Sequence, residues 1–184
     1  MDLPSRWKCP GPNDLQKHLG AFTHWTLCGG HSLDLILGRK IRDHADIDIG
    51  VFRSDLTGCL NVFAKEQVFL CTPSGSDTRV PWTGGMVDPA VHDIWICDPD
   101  REHWLFQIMI FDDDTGHVFY RRDRRISWPK GSHSIPLGHL RVLNPLITFL
   151  YKANKPKIED KEVTDLIALI EFAVDSRGLA PGYR

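Results

Sequence analysis

The sequence predicts an α+β, or mixed α/β, fold. Three observations carry that prediction. Short apolar runs of strand length, several alternating with polar residues, occupy the chain up to Leu143. Helix-period stripes take over after it. The 184 residues are 42% hydrophobic and 25% charged, the balance of one domain that buries its own core.

The elements follow in order. Three prolines in the first dozen residues make an irregular lead-in. Asn13 is placed to cap a short helix through Ala21, with Leu15, His18 and Leu19 on one face. Trp25 to Cys28 is a short apolar strand that stops at Gly29-Gly30. Leu33, Ile36 and Leu37 then recur at helical spacing, and Gly38 closes that helix. Asp46 to Arg53 alternates like a strand, and Glu66 to Thr72 and Asp93 to Cys97 are further strands. Trp104 to Phe111 is a long apolar strand, Asp112 to Gly116 a solvated turn, and His117 to Tyr120 a returning strand, so residues 93–120 read as a meander. Asn144-Pro145 is a cap followed by a first-turn proline. A helix with Leu146, Phe149 and Leu150 in a stripe runs from there to Ala153, and Pro156 breaks it. A last helix spans Glu159 to Val174, with Val163, Leu166, Ile167, Ile170 and Val174 on one face.

Composition narrows the function. Lys plus Arg is 22 and Asp plus Glu 24, a net charge of −2, which argues against a nucleic-acid backbone as the main partner. No apolar run reaches the ~18–20 residues of a membrane span, and the N-terminus carries no apolar signal region. Five cysteines, with no CxxC, suit reduced thiols in the cytoplasm rather than a disulfide framework.

The informative stretch is Gly29 to Ile49, GGHSLDLILGRKIRDHADIDI. A Gly-Gly turn between a strand and a helix start allows close backbone approach, and the first N–H groups of a helix lack internal partners. Together they form a cradle for phosphate oxygens, to which Ser32 can add a hydroxyl. Asp46 and Asp48 lie two apart in a strand-like run, so both carboxylates share one face and Ile47 and Ile49 the other. Two like charges this close repel, and a divalent cation removes the penalty; oxygen ligands suit Mg²⁺. Arg39, Lys40, Arg42 and His44 lie between, and arginine grips phosphate oxygens bidentately. Each feature alone also fits an ordinary turn, strand edge or solvated loop; their succession within twenty residues favours a site.

This pattern, GG-x10–12-R-x-H-x-D-x-D, resembles the aminoglycoside 2″-adenylyltransferase and lincosamide nucleotidyltransferase family of the polymerase-β-like superfamily. His92-Asp93-Ile94-Trp95, Trp104 to Ile110, Phe119-Tyr120-Arg121-Arg122-Asp123, Leu150-Tyr151-Lys152-Ala153 and Lys161-Glu162-x-x-Asp165-Leu166 are similar to later segments of that family. The resemblance implies a nucleotidyltransferase fold, a mixed sheet flanked by helices with a small helical C-terminal tail. It implies a catalytic domain over residues 1–142 and a helical segment over 143–184. ATP would lie near Gly29, Gly30, Ser32, Arg39, Arg42 and His44, with Mg²⁺ on Asp46 and Asp48. The reaction implied moves a nucleoside monophosphate, AMP, from a nucleoside triphosphate to a hydroxyl of a small molecule of aminoglycoside or lincosamide type. Asp93 and Lys152 would stand on the substrate side.

One position departs from the family. Its third carboxylate matches Gln107, the only polar side chain between Leu105 and Phe111. Glutamine offers a carbonyl oxygen to a metal but is no general base near pH 7. An enzyme of altered mechanism, a catalytically silent nucleotide- or partner-binding module, and a deliberate Glu-to-Gln exchange all fit this residue. A toxin-like transferase acting on RNA or protein is a further reading. Asp93 is the alternative third acid if its strand lies alongside. Arg121, Arg122, Arg124 and Arg125 form a basic cluster, and Trp82 and Trp128 are candidate pocket walls.

Overall fold

The computed structural model describes residues 3–73 and 78–178, the side chains of 175–178 excepted. In chain order the elements are β1 (Arg6–Trp7), α1 (Leu15–Leu19), β2 (Thr26–Cys28), α2 (Gly29–Leu37), β3 (Asp48–Phe52), α3 (Leu56–Leu60), β4 (Val68–Cys71) and β5 (Arg79–Pro81). There follow β6 (Asp93–Cys97), β7 (His103–Phe111), β8 (His117–Phe119), β9 (Ser127–Pro129), β10 (Ser134–Leu137), β11 (Leu140–Leu143), α4 (Pro145–Ala153) and α5 (Asp160–Gly178).

Nine strands form one mixed sheet in the order β10-β11-β2-β3-β7-β6-β4-β5, with β1 added parallel to the start of β7. The central pairing is β3 beside β7, parallel, with Asp48 opposite Gln107. β6 lies antiparallel on the other side of β7, with Trp95 opposite Gln107 and Asp93 opposite Met109. Side chains alternate across this sheet. Ile47, Ile49, Val51, Ile94, Ile96, Phe106, Ile108 and Ile110 face a core that also takes in Leu15, Leu19, Leu33, Leu56 and Leu60. On the opposite face Phe111, Leu143 and Ile147 form a second cluster with Met109 and Tyr151 packed on it. That cluster covers one end only, and the face left open beside it holds Asp48, Gln107 and Trp95. The expected α+β architecture with a mixed sheet is therefore present.

Local chemistry explains the boundaries. α2 begins at Gly29 (φ +64°) and ends at Gly38 in the left-handed region, whose N–H returns to the Leu35 carbonyl. Asn144 caps α4, its Oδ1 accepting the Leu146 N–H at 3.0 Å, and Pro145 follows at the first helical position.

Several expectations are corrected. The first helix is a single turn, Leu15–Leu19, preceded by a 3₁₀ turn at Pro12–Asp14. Gly20, at φ +55°, stops it before Ala21, and Asn13 does not cap it. The strand carrying the acidic pair starts at Asp48; Asp46 sits in a bend before it. β6 and β7 pair as a hairpin, but β8 leaves the sheet and pairs with β9 in a separate ribbon. Its cause lies in the turn: Asp112 binds Arg53 (2.6 Å) and His92 (3.0 Å) and Asp113 binds Ser54 and Lys130, so two of the three turn carboxylates anchor the chain instead of facing solvent. In α4 the buried side chains are Ile147 and Thr148, while Leu146 and Phe149 are exposed. In α5 the buried residues include Glu162, Asp165, Ala168 and Leu169, and Val163, Ile167, Ile170 and Val174 face outward. Residues 179–184 of the expected C-terminal segment lie outside the described residues.

Candidate active site

The open sheet face is the floor of a cavity of about 920 Å³. Asp46, Asp48 and Gln107 line it, with Gly29, Gly30 and Arg42 on one wall, and Tyr151 and Lys152 of α4 and Lys155 of the loop after it on another. Ile47 and Ile49 are fully buried on the other side, as the alternation requires.

The two glycines are forced by what approaches them. A β-carbon on Gly29 would stand 2.0 Å from Oδ2 of Asp48. One on Gly30 would stand 2.2 Å from Nδ1 of His44 and 2.9 Å from Nη2 of Arg42. The turn thus lets the acid, the arginine and the histidine close on the start of α2. Burial pushes the Asp48 carboxyl up to about 7, and Asp46 adds to the rise, while Lys152 and Lys155 pull against it. Two neighbouring carboxylates in one cavity are a donor set that fits a hard divalent cation.

Arg42 is clamped by the buried Asp165, with Nε and Nη2 each donating at 2.8 Å. Lys152 donates to the same carboxylate at 2.5 Å. The two cations hold the Asp165 carboxyl below the usual carboxylate range against its burial. Lys155 is paired with Glu162 at 2.5 Å. One carboxylate therefore places two cations at the cavity, and α5, whose apolar stripe faces outward, turns its acids inward to do it.

Gln107 donates its amide to Asp93 Oδ1 at 3.2 Å, and Arg121 donates to Asp93 Oδ2 at 3.1 Å. Asp93 is thus the carboxylate beside the glutamine, on the neighbouring strand. Trp95 lines the cavity further along the floor, with the Arg79 guanidinium 3.4 Å above its ring.

Other residues singled out in the sequence lie elsewhere. Ser32 is buried, its hydroxyl donating to the Gly29 carbonyl at 2.8 Å, which shapes the turn from behind. His44 packs behind Gly30, its Nε2 2.7 Å from Asp34. Arg39 is exposed and 3.7 Å from Glu171, beside a separate shallow depression. Trp82 belongs to the main core, and Trp128 stacks on His133, so neither walls the cavity. Arg121 and Arg122 reach the cavity, whereas Arg125 pairs with Asp123 and Arg124 with Asp112. Arg79 and Lys155 carried no sequence signal of their own, and Trp95 stood only within a segment similar to the family; their place in the sheet and at the helix junction brings them to the cavity.

Residues 15–87 match the family model described as aminoglycoside-2''-adenylyltransferase. No curated protein matches the chain. Among solved structures, the lincomycin-bound lincosamide antibiotic adenylyltransferase LnuA is similar, with 14% identity and a TM-score of 0.54 over 87% of this chain and 92% of that chain. ANT(2")-Ia in complex with adenylyl-2"-tobramycin gives 14% identity and a TM-score of 0.49 over 83% of this chain and 81% of that one. This chain has the fold of a nucleotidyltransferase, and over residues 15–87 its sequence is similar to the aminoglycoside-2''-adenylyltransferase family.

Proposed function

We propose that the chain is a Mg²⁺-dependent nucleotidyltransferase. It transfers a nucleoside monophosphate, AMP, from a nucleoside triphosphate to a hydroxyl of an antibiotic-type small molecule and releases pyrophosphate. The carrying observation is the Asp46–Asp48 pair on the floor of a cavity whose walls bear the Gly29-Gly30 turn, Arg42 and Lys152. Asp46 and Asp48 would hold the metal, which supplies charge neutralisation at the triphosphate. Arg42 and Lys152, fixed through Asp165, hold phosphate oxygens, and Ser32 and His44 brace the turn. The acceptor oxygen bonds to the α-phosphorus as the bond to pyrophosphate breaks. Its proton passes to Asp93, which Gln107 and Arg121 orient. The five free thiols suit work in a reducing cytoplasm.

Among the described residues, each lining carboxylate outside the metal pair already has a cation on it. Arg121 holds Asp93, Lys155 holds Glu162 and Lys40 holds Asp43. A polyamine finds no vacant anion there. This favours a neutral hydroxyl acceptor, nearer the lincosamide type than the aminoglycoside type.

Calorimetry with a nonhydrolysable ATP analogue tests the reading. Binding should require Mg²⁺ and disappear in the Asp46→Ala/Asp48→Ala variant; metal-dependent binding that survives both changes rejects it. Gln107 favours one second reading, a silent nucleotide-binding module. That reading expects the same binding with no pyrophosphate released and no acceptor mass increase by mass spectrometry.

A further inference from the structure

Behind the Gly29-Gly30 turn, three side chains gather outside the cavity. His31 and Asp34 lie three apart on α2 and so share a face; His44 comes from the loop before β3. Each offers one ligating atom, and the three atoms lie within 4.8 Å of one another. The two imidazole rings are 4.6 Å apart between centroids.

The cluster is built but unsatisfied. Asp34 is anchored by the Ile41 N–H, which donates to Oδ1 at 3.0 Å, and its Oδ2 faces His44 Nε2 at 2.7 Å. The His44 side chain is only 3% exposed, and among the described residues its Nδ1 has no hydrogen-bond partner. Nε2 and Oδ2 face each other across a shared proton, and a cation held by both would displace it. Burial and the neighbouring His44 hold His31 below the usual histidine range, so its ring is neutral and keeps a lone pair for a cation near pH 7.

We propose that His31, Asp34 and His44 form a second cation site, distinct from the Asp46–Asp48 pair and taking Zn²⁺. Two imidazoles and one carboxylate are a zinc donor set, with water as the fourth ligand, whereas the all-oxygen pair suits Mg²⁺. The Ile41 N–H on Asp34 is the outer-shell bond that orients a ligating carboxylate. The ion ties the loop that carries Arg42 and Asp46 and leads into Asp48 to the helix that begins at Gly29.

The test uses the nucleotide-free chain in saturating Mg²⁺, titrated with Co²⁺ as a spectroscopic probe and then with Zn²⁺ by calorimetry. One Co²⁺ per chain with visible d–d bands is expected, displaced by Zn²⁺, and zinc raises the melting temperature. His31→Gln should abolish the bands and weaken Zn²⁺ at least ~10-fold. The Asp46→Asn/Asp48→Asn variant should keep both, which separates this site from the Mg²⁺ pair whatever becomes of the transferase reading. Absent bands, a zinc affinity unchanged in a folded His31→Gln variant, or a site lost with Asp46 and Asp48, each overturns the proposal.

Discussion

The Asp48 carboxylate stands in the space that a side chain at residue 29 would fill, 2.0 Å from the position of a Gly29 β-carbon. The Gly29-Gly30 turn and the Asp48 carboxylate are therefore one packing unit. Gly29→Ala forces Asp48 aside and strains a backbone at φ +64°, a conformation that costs an L-residue about 1–2 kcal/mol. Mg²⁺ titration should show the metal affinity lost, and thermal melts should show a lower midpoint.

Asp48 also sets a pH dependence. Its carboxyl ionises at about 7 in the folded chain, against an ordinary 3.8. Between those values the unfolded chain has released a proton that the folded chain keeps, so stability falls as pH rises through this window and levels off above it. The metal-free melting temperature should be higher at pH 5 than at pH 8. Mg²⁺ should restore it at pH 8, and Asp48→Asn should flatten the profile.

The Gln107–Asp93 contact bears on the proposed proton acceptor. Asp93→Asn should slow single-turnover transfer by ~10²-fold or more, the usual loss of a general base. Gln107→Glu sets a second carboxylate where the amide donates at 3.2 Å, so it should gain little at neutral pH. A large gain from Gln107→Glu, with Asp93→Asn harmless, would reverse the assignment.

Asp165→Asn leaves Arg42 and Lys152 without their shared anion. Breaking such a buried pair costs about 3–5 kcal/mol. Denaturant melts should register that loss. Nucleotide affinity, measured by calorimetry on the protein that remains folded, should fall while Mg²⁺ binding changes less.

Much of this was legible in the sequence because short-range rules governed it. The Gly-Gly turn and the Asn144 cap act within a few residues and appear as expected, and Asp46 and Asp48 both line the cavity although Asp46 lies in a bend. The helix faces were not legible. Val163, Ile167, Ile170 and Val174 repeat like a buried stripe, yet Glu162 and Asp165 are the residues drawn inward. Cations on α4, on the loop after it and in the loop before β3 reward burying those acids, and the periodicity of α5 records none of these partners, which lie 7 to 123 positions away. Strands β1, β5, β9, β10 and β11 escaped notice because they are two to four residues long and pair only in the assembled sheet. Asp112 and Asp113 read as turn residues because their partners Arg53 and Lys130 lie outside the turn, where no local pattern records them.

The bond between Arg42 and Asp165 spans 123 positions of the chain. A polypeptide growing on the ribosome thus completes its Gly-Gly turn and acidic pair long before the residue that aims their arginine has been synthesised. Until α5 emerges, the nascent chain carries the two acids with no fixed cation opposite them. The fixed placement of Arg42 is the last feature of the cavity it acquires, and a chain cut short at the end of the sheet keeps the whole motif without that placement.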